Sequence, residues 1–481
     1  MRLLPLPLLG ALLTSPLLFF MGGTHAVSHD DPVAPILLAL AMMAVAAAIG
    51  GRIMRKFGQA AVLGELLIGV LVGNLGYLYH QPSISVIREG ETVSTIVQTA
   101  LTQKVTVGEA ARQVLPPGLH AERIAEILEG PGGLRVLDVY SFVDQVSRIA
   151  IIILLFLVGL ETSLVEMREV GWSSSLVGVL GVVLPLGLGL LVTTFLLRDS
   201  SFAVHLFIGG ILTATSVGIT ARVLRDLGQM NRPESKIILG AAVIDDVLGL
   251  LVLAVVAALV VSGSVSFGGI AVITLKAVVF LVGSIGLGMW LTPRIVRRLA
   301  RLELENLKLL FGVGFAFVLA WFANLAGLAT IIGAFAAGLI LEHFFDKELQ
   351  GFSLRDMLSP LESLIVPIFF VLMGLQVKLE AFNNLKVVLL ALALTVAAIA
   401  GKIFSGLPAG RRLNRLAIGI GMMPRGEVGL IFAGIGRGLG VINDSVFASV
   451  VIVVIVTTLL TPPLLKMTLM ENSSRPTSIS A

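Results

Sequence analysis

Thirteen long apolar runs divide this chain, at 33–50, 60–79, 143–162, 173–197, 202–222, 236–262, 268–292, 306–326, 328–342, 358–377, 385–407, 414–436 and 445–467. A run of about 20 apolar residues matches the hydrocarbon core of a bilayer. In lipid, every backbone polar group has to be bonded internally. A chain made of such runs can become a bundle of membrane helices and little else. Composition agrees: 56% of the 481 residues are apolar and 13% charged, against roughly 45–50% and about 25% in a soluble domain. The expected fold class is an all-α polytopic membrane protein with about 13 transmembrane helices. A net charge of +4 is too small to suggest a nucleic-acid partner. Cysteine is absent, which excludes disulfides, thiolate metal sites and cysteine catalysis.

Residues 1–26 hold one arginine, an apolar run from Leu3 to Met21 and a small-residue end. That is the pattern of a signal peptide, with an extra helix as the alternative. Lys and Arg in the short loops set the orientation. Twenty fall on one side and four, Arg198, Lys378, Lys386 and Arg437, on the other. The richer side is expected to be cytoplasmic, which places the mature N-terminus outside the cell (inner) membrane and the C-terminus inside. The membrane domain then covers 33–468, and 469–481 form a short cytoplasmic tail. Residues 80–142 become an extracytoplasmic insertion. Helical periodicity over Gly108–Glu129 is broken by Pro116-Pro117, and Pro131-Gly132-Gly133 makes a hinge. No metal or nucleophile constellation occurs there, so a passive insertion is expected, with a small cap or periplasmic partner surface as the alternative.

Ionisable residues inside the spans carry the most information. A charge at the bilayer centre costs at least ~2.5–3.5 kcal/mol, so such residues are usually paired and functional. Asp245-Asp246 lies in an otherwise apolar helix, nine residues beyond Lys236, or about 13 Å deep at 1.5 Å per residue. Neighbouring positions differ by about 100° around a helix. One carboxylate can therefore face an ion path while the other takes a structural partner. Lys402, at similar depth, is the natural counter-ion for Asp245. Lys276 and Glu65 lie nearer span ends and read as interfacial or packing residues.

Two spans carry helix-breaking patches: Thr213-Ala-Thr215-Ser216-Val-Gly218-Ile-Thr220, and Met423-Pro424-Arg425-Gly426-Glu427-Val428-Gly429. Unwound backbone at membrane depth is tolerated only beside protein or water. Discontinuous helices at matching positions of two repeats point to a transporter's ion site. Spans two to six and nine to thirteen form two such units of opposite orientation, and the broken span is fourth in each. The expectation is two inverted five-helix repeats with two crossing discontinuous helices. The symmetry is topological, without convincing sequence identity between the units.

The chain also resembles a known family. Leu154-Leu-Phe-Leu-Val-Gly159-Leu-Glu161-Thr162, Ala214-Thr-Ser-Val-Gly-Ile-Thr-Ala-Arg222, Val243-Ile-Asp-Asp246, Phe369-Phe-Val-Leu-Met-Gly374-Leu and Pro424-Arg-Gly-Glu427 look like the bacterial cation:proton antiporter superfamily. That superfamily includes sodium/proton exchangers and Kef-type potassium systems. The motifs occur in order over about 33–468, and Gly64-Glu65-Leu-Leu-Ile-Gly69 resembles the family's early Gly-rich helix. Two departures stand out: Asn74 replaces a frequent Pro, and residues 80–142 are foreign to the pattern.

The resemblance implies a homodimer with an elevator mechanism. Spans 1–3 and 8–10 would form its scaffold, and spans 4–6 and 11–13 its moving core. It implies Asp246 as the principal carrier of Na+ or a proton, Asp245 paired with Lys402, and Thr215 and Ser216 as oxygen ligands or orienting groups. Arg425 and Glu427 would support the broken helix. No cofactor is implied.

Within that superfamily the Asp-Asp pair resembles the electrogenic sodium/proton antiporters, which implies Na+(Li+)/H+ exchange, with Kef-type K+/H+ antiport as the alternative. The physical logic is independent of the family. A carboxylate with water access holds a proton or a cation, but not both; desolvation raises its pKa and a nearby Lys lowers it. A passive cation channel is the rival of another class. Channels favour symmetric rings of ligands, whereas this chain has one off-axis cluster. An enzyme is not expected: an aspartyl protease dyad needs two facing aspartates, and adjacent residues on one helix do not face each other.

Overall fold

The computed structural model describes residues 31, 33–59, 61–115, 118–161, 171–216, 219–220, 223–224, 227–229, 232–262, 267–299, 307–328, 330–348, 353–410 and 413–471. Within these ranges the side chains of Asp246 and Glu427, among others, lie outside the description. So do residues 1–30, where the signal peptide is expected, and the tail from 472.

The described chain is helical throughout, in the order α1 (Ala34–Lys56), α2 (Ala61–Leu78), α3 (Pro82–Glu89), α4 (Glu91–Gln103), α5 (Val107–Val114), α6 (Leu119–Glu129), α7 (Gly133–Glu161), α8 (Trp172–Leu196), α9 (Phe202–Ile211), α10 (Pro233–Ser262), α11 (Phe267–Leu299), α12 (Leu307–Leu325), α13 (Thr330–Glu348), α14 (Leu354–Leu375), α15 (Leu385–Ser405), α16 (Arg415–Gly421), α17 (Gly426–Gly438) and α18 (Asp444–Glu471). A 3-10 turn, Leu379–Asn383, joins α14 to α15. Among the described residues, nine helices are long and apolar enough to cross a membrane, and three shorter apolar ones accompany them. The protein is a multi-pass membrane protein. Each expected span has a helical counterpart, and the two expected broken spans are interrupted, at 212–216 and 422–425.

The helices pack as two groups. One is a panel of α1, α2, α7, α12, α13 and α14; the other is a core of α8, α9, α10, α15, α16, α17 and α18. The α11 helix connects them, packing on α10 and α13. Without a hydrophobic drive between helices in lipid, close backbone approach over small residues holds such a panel together. A Cβ on Gly69 of α2 would lie 2.9 Å from Cα of Gly374 on α14, and one on Gly159 of α7 would lie 3.0 Å from Cα of Gly338 on α13.

These two crossings are related by the inverted repeat, which exchanges α2 with α13 and α7 with α14. The relation extends one helix before each unit: Gly64 of α2 abuts Gly50 of α1, as Gly333 of α13 abuts Leu319 of α12. Here the sequence does carry a trace of the repeat. Gly64 and Gly69 share their spacing with Gly333 and Gly338. Leu157-Val-Gly159-Leu-Glu161 likewise runs in register with Leu372-Met-Gly374-Leu-Gln376.

The segment 80–142 is helical rather than loop-like. α3 to α6 pack on one another and on α2, α7 and α14. The α5 helix opens with a capping box between Thr106 and Glu109. α5 and α6 end and begin on either side of Pro116-Pro117, which lie outside the described residues.

Candidate functional site

The core brings both interrupted helices to one place. α9 stops at Ile211, and Thr213 turns its hydroxyl back to donate to the Gly210 carbonyl at 2.8 Å. Hydroxyls of this kind compete with the helical ladder. On the other strand of the crossing, Pro424 supplies no N–H and disfavours a helical Met423 before it. The freed backbone groups then satisfy each other across the break. Thr220 Oγ1 donates to the Gly421 carbonyl at 2.7 Å and Thr215 Oγ1 to the Met422 carbonyl at 3.2 Å. The Ser216 amide donates to the Pro424 carbonyl at 2.8 Å. Two hydroxyls of one broken helix thus cap the C-terminal carbonyls of the other, groups that would be costly to leave unmet in lipid. Gly426 makes the crossing possible, because a Cβ there would lie 2.6 Å from that of Ser216.

Arg425 is the bracket of this crossing. It is 1% exposed. It donates from Nη1 to the Ala214 carbonyl at 2.5 Å and from Nη2 to the Ala398 carbonyl at 3.2 Å. Ala398 stands one helical turn before Lys402 on α15, so the same guanidinium ties the break to the helix that carries the lysine.

Lys402 Nζ donates to Asp245 Oδ1 at 2.7 Å, and both side chains are fully buried. Among the described residues, Asp245 Oδ2 has no hydrogen-bond partner, which leaves acceptor capacity at the centre of the core. The pair adjoins the crossing. Met422 Cε lies 3.6 Å from the Cβ position of Gly181, the residue beneath the pair, and a Cβ on Gly249, one turn beyond Asp245, would lie 3.5 Å from Thr213 Oγ1. Asp246 occupies the next position of α10; its side chain, like that of Glu427 on α17, is outside the described residues.

Asp245, Lys402, Thr215, Ser216 and Arg425 therefore share one buried cluster. Lys276 is exposed on α11, and Glu65 is buried in the panel, with Oε1 at 3.2 Å from the Cβ position of Gly51 on α1. Sequence reasoning missed Gly181. A Cβ there would lie 3.0 Å from Asp245 Oδ1 and 3.3 Å from Lys402 Nζ. It also missed Thr220, which closes the polar run from Thr213 but carries no signal separating it from its neighbours.

Chemically, the cluster offers hydroxyl, carbonyl and carboxylate oxygens and one lysine, all shielded from water. Such a set suits a hard monovalent cation and a transferable proton.

Comparison with known proteins follows the same line. The family model for the transmembrane sodium/hydrogen exchanger matches residues 42–471. The high-affinity Na(+)/H(+) antiporter NhaS3 of Synechocystis is 36% identical over 456 residues, covering 92% of each chain. The Na(+)/H(+)-K(+) antiporter GerN of Bacillus cereus is 34% identical over 372 residues, covering 75% of this chain and 92% of GerN. In fold, the chain is similar to the solved sodium proton antiporter MjNhaP1 from Methanocaldococcus jannaschii. The TM-score is 0.62 at 14% identity, over 92% of this chain and 100% of that one.

Proposed function

This chain belongs to the transmembrane sodium/hydrogen exchanger family, and from that premise we propose that it exchanges sodium, or lithium, for protons across the cell membrane. The observation that carries the reading is the fully buried Asp245–Lys402 pair set beside a crossing of two interrupted helices. A pair of charges taken out of water is a poor device for stability alone, since apolar side chains of similar volume often do as well or better. At an exchange site it has a use.

In this reading Asp246 is the carrier. With water access it binds either the cation or a proton, and Thr215 and Ser216 orient it or add oxygen ligands. Asp245 keeps Lys402 charged while they are in contact. When a cation recruits Asp245, Lys402 loses its counter-charge, and desolvation then favours release of its proton. One cation in then displaces two protons, one from Asp246 and one from Lys402, and the cycle moves net charge. The core of α8–α10 and α15–α18 moves against the panel as an elevator, and two panels meet in a homodimer. The mature N-terminus lies outside and the C-terminus inside, as the loop charges indicate.

The relative GerN is a Na(+)/H(+)-K(+) antiporter, which favours K+/H+ exchange as the second reading. Purified protein in liposomes with an internal pH dye tests both. An imposed pH gradient should collapse on adding sodium or lithium at lower concentrations than potassium. Response to potassium alone would remove the sodium assignment, and response to none of the three would remove exchange.

A further inference from the structure

Helices α3 to α6 end in a charged junction with the core that none of the exchange chemistry uses. The α3 helix stops at Glu89 because Gly90 takes φ +58°, a left-handed conformation that glycine adopts without strain. The stop leaves the Arg88 and Glu89 carbonyls free at a helix C-terminus, where a cation is favoured. The cation comes from the other group of helices. Arg437, in the last turn of core helix α17, donates to both carbonyls at 3.4 Å. It also donates to Gln376 Oε1 at 3.0 Å, just past the end of panel helix α14. A Cβ on Gly90 would lie 3.1 Å from Arg437 Nη2, so the missing side chain is what admits the guanidinium.

Ion pairs continue the junction in both directions. Arg437 pairs with Asp444, at the start of core helix α18, at 2.8 Å. Lys378, in the α14–α15 linker, pairs with Asp444 at 2.6 Å and with Glu89 at 3.0 Å. Glu89 also accepts from His120 of α6 at 2.9 Å. Arg88 pairs with Glu380 at 2.5 Å and donates to Asn74 of α2 at 2.8 Å. Arg88 and Glu89 are each 1% exposed. Exposed pairs contribute little. Buried ones with several partners each hold a single register, because removing one partner strands the others.

Another approach of core to panel is apolar: a Cβ on Gly434 of α17 would lie 3.2 Å from Met373 Sδ of α14. Contacts of that kind are non-directional and can slide.

We infer that α3–α6 form a latch. Through Arg437 and the Lys378–Asp444 bridge, this insertion fixes the α17–α18 turn to the panel and biases the core toward the described position. The inference rests on the moving-core reading proposed above. The His120 and Lys378 interactions outweigh the burial that opposes ionisation and hold the Glu89 carboxyl at about 2, so the carboxylate stays ionised at physiological pH.

The chain has no cysteine, so pairs of spin labels can be introduced directly and their separation measured by pulsed dipolar spectroscopy in lipid. One pair, at Leu439 and Leu119, spans the junction; a second, at Leu416 and Ile53, joins core to panel elsewhere. All four residues are exposed. In otherwise unmodified protein the Leu439–Leu119 pair should show one dominant separation. Asp444→Asn and Lys378→Gln should each raise the population of longer separations at least about threefold, a shift of roughly 0.65 kcal/mol from RT ln 3. Glu122→Gln, which breaks only the exposed Arg112–Glu122 pair, should not.

An unchanged distribution in both folded variants, while the Leu416–Ile53 separation still responds to sodium, would overturn the latch and leave the moving core standing. A Leu416–Ile53 separation that never changes, with or without sodium, would remove the moving core and the latch with it.

Discussion

Gly181 of α8 faces Asp245 of α10 with no side chain between them, and a Cβ at Gly181 would stand 3.0 Å from Asp245 Oδ1 and 3.3 Å from Lys402 Nζ. Both distances are tight for a carbon against a polar atom, so the pair has to shift by a few tenths of an ångström to admit a methyl group. Gly181→Ala should therefore fold and insert normally yet exchange roughly fivefold more slowly, equivalent to about 1 kcal/mol of barrier. Gly181→Val should abolish exchange. Initial rates of dye-reported flux in liposomes check this; an alanine variant at full speed would mean that the pair's geometry does not limit transport.

Removing the lysine tests the charge balance of the core. Lys402→Met leaves Asp245 buried without a counter-charge, which costs about 3–5 kcal/mol when the carboxylate is ionised. The double variant Asp245→Asn with Lys402→Met has no stranded charge and should recover most of that loss. Thermal unfolding in detergent, followed by size-exclusion fluorescence, should rank the double variant clearly above the single one. Equal melting temperatures would show that the two residues do not form an energetic unit.

Arg425 bridges two carbonyls, that of Ala214 in the break after α9 and that of Ala398 on α15. Lysine keeps the charge but has no planar fork with which to span both. Arg425→Lys should leave one buried carbonyl unbonded, at about 1–3 kcal/mol, and slow exchange at least tenfold. A lysine variant with unchanged rate and melting temperature would make the bracket dispensable.

The latch gives a pH signature opposite to that of a histidine switch. Burial opposes the charge on Glu89, but hydrogen bonding to His120 and the charge of Lys378 bring its pKa from 4.5 to about 2. A depressed carboxyl contributes stability above its unfolded pKa and loses it as pH falls through the folded value. Glu89→Gln should thus lower the melting temperature above about pH 5, and the gap should close as pH falls between about 4.5 and 2. A gap that instead grows toward acid would contradict the assigned pairing.

The parts of this fold that a one-dimensional reading can reach are those set by solvent. Lipid fixes the length and polarity of a span, so all thirteen apolar runs surfaced as helices. Burial of charge in lipid is costly enough to mark Asp245 and Lys402 without any knowledge of their partners. The start of α7 shows the limit: it begins at Gly133, well before the apolar run at 143, because its first turns pack on the insertion and mix polar with apolar residues.

Gly181 was silent because a glycine in an apolar helix looks like any other, and its meaning lies in the helix opposite. Arg437 and Lys378 were read as loop charges that help set orientation. Their burial and their partners, more than 250 residues away in sequence for Glu89, appear only once the chain is folded. The glycine register linking α2 with α13 and α7 with α14 was present in the sequence, but too short to stand out without the crossings that require it.

The most direct test of the account concerns Asp246. Its substitution by asparagine keeps the size and removes the ionisable carboxyl, so no group remains there to hold sodium and proton in turn. Purified Asp246→Asn protein, reconstituted alongside the unmodified chain, should insert and unfold like it but show no sodium-driven proton flux at any pH from 5 to 9. Sodium-driven flux at the unmodified rate in that variant would contradict the assignment of Asp246 as the carrier, and with it the exchange mechanism built around the Asp245–Lys402 pair.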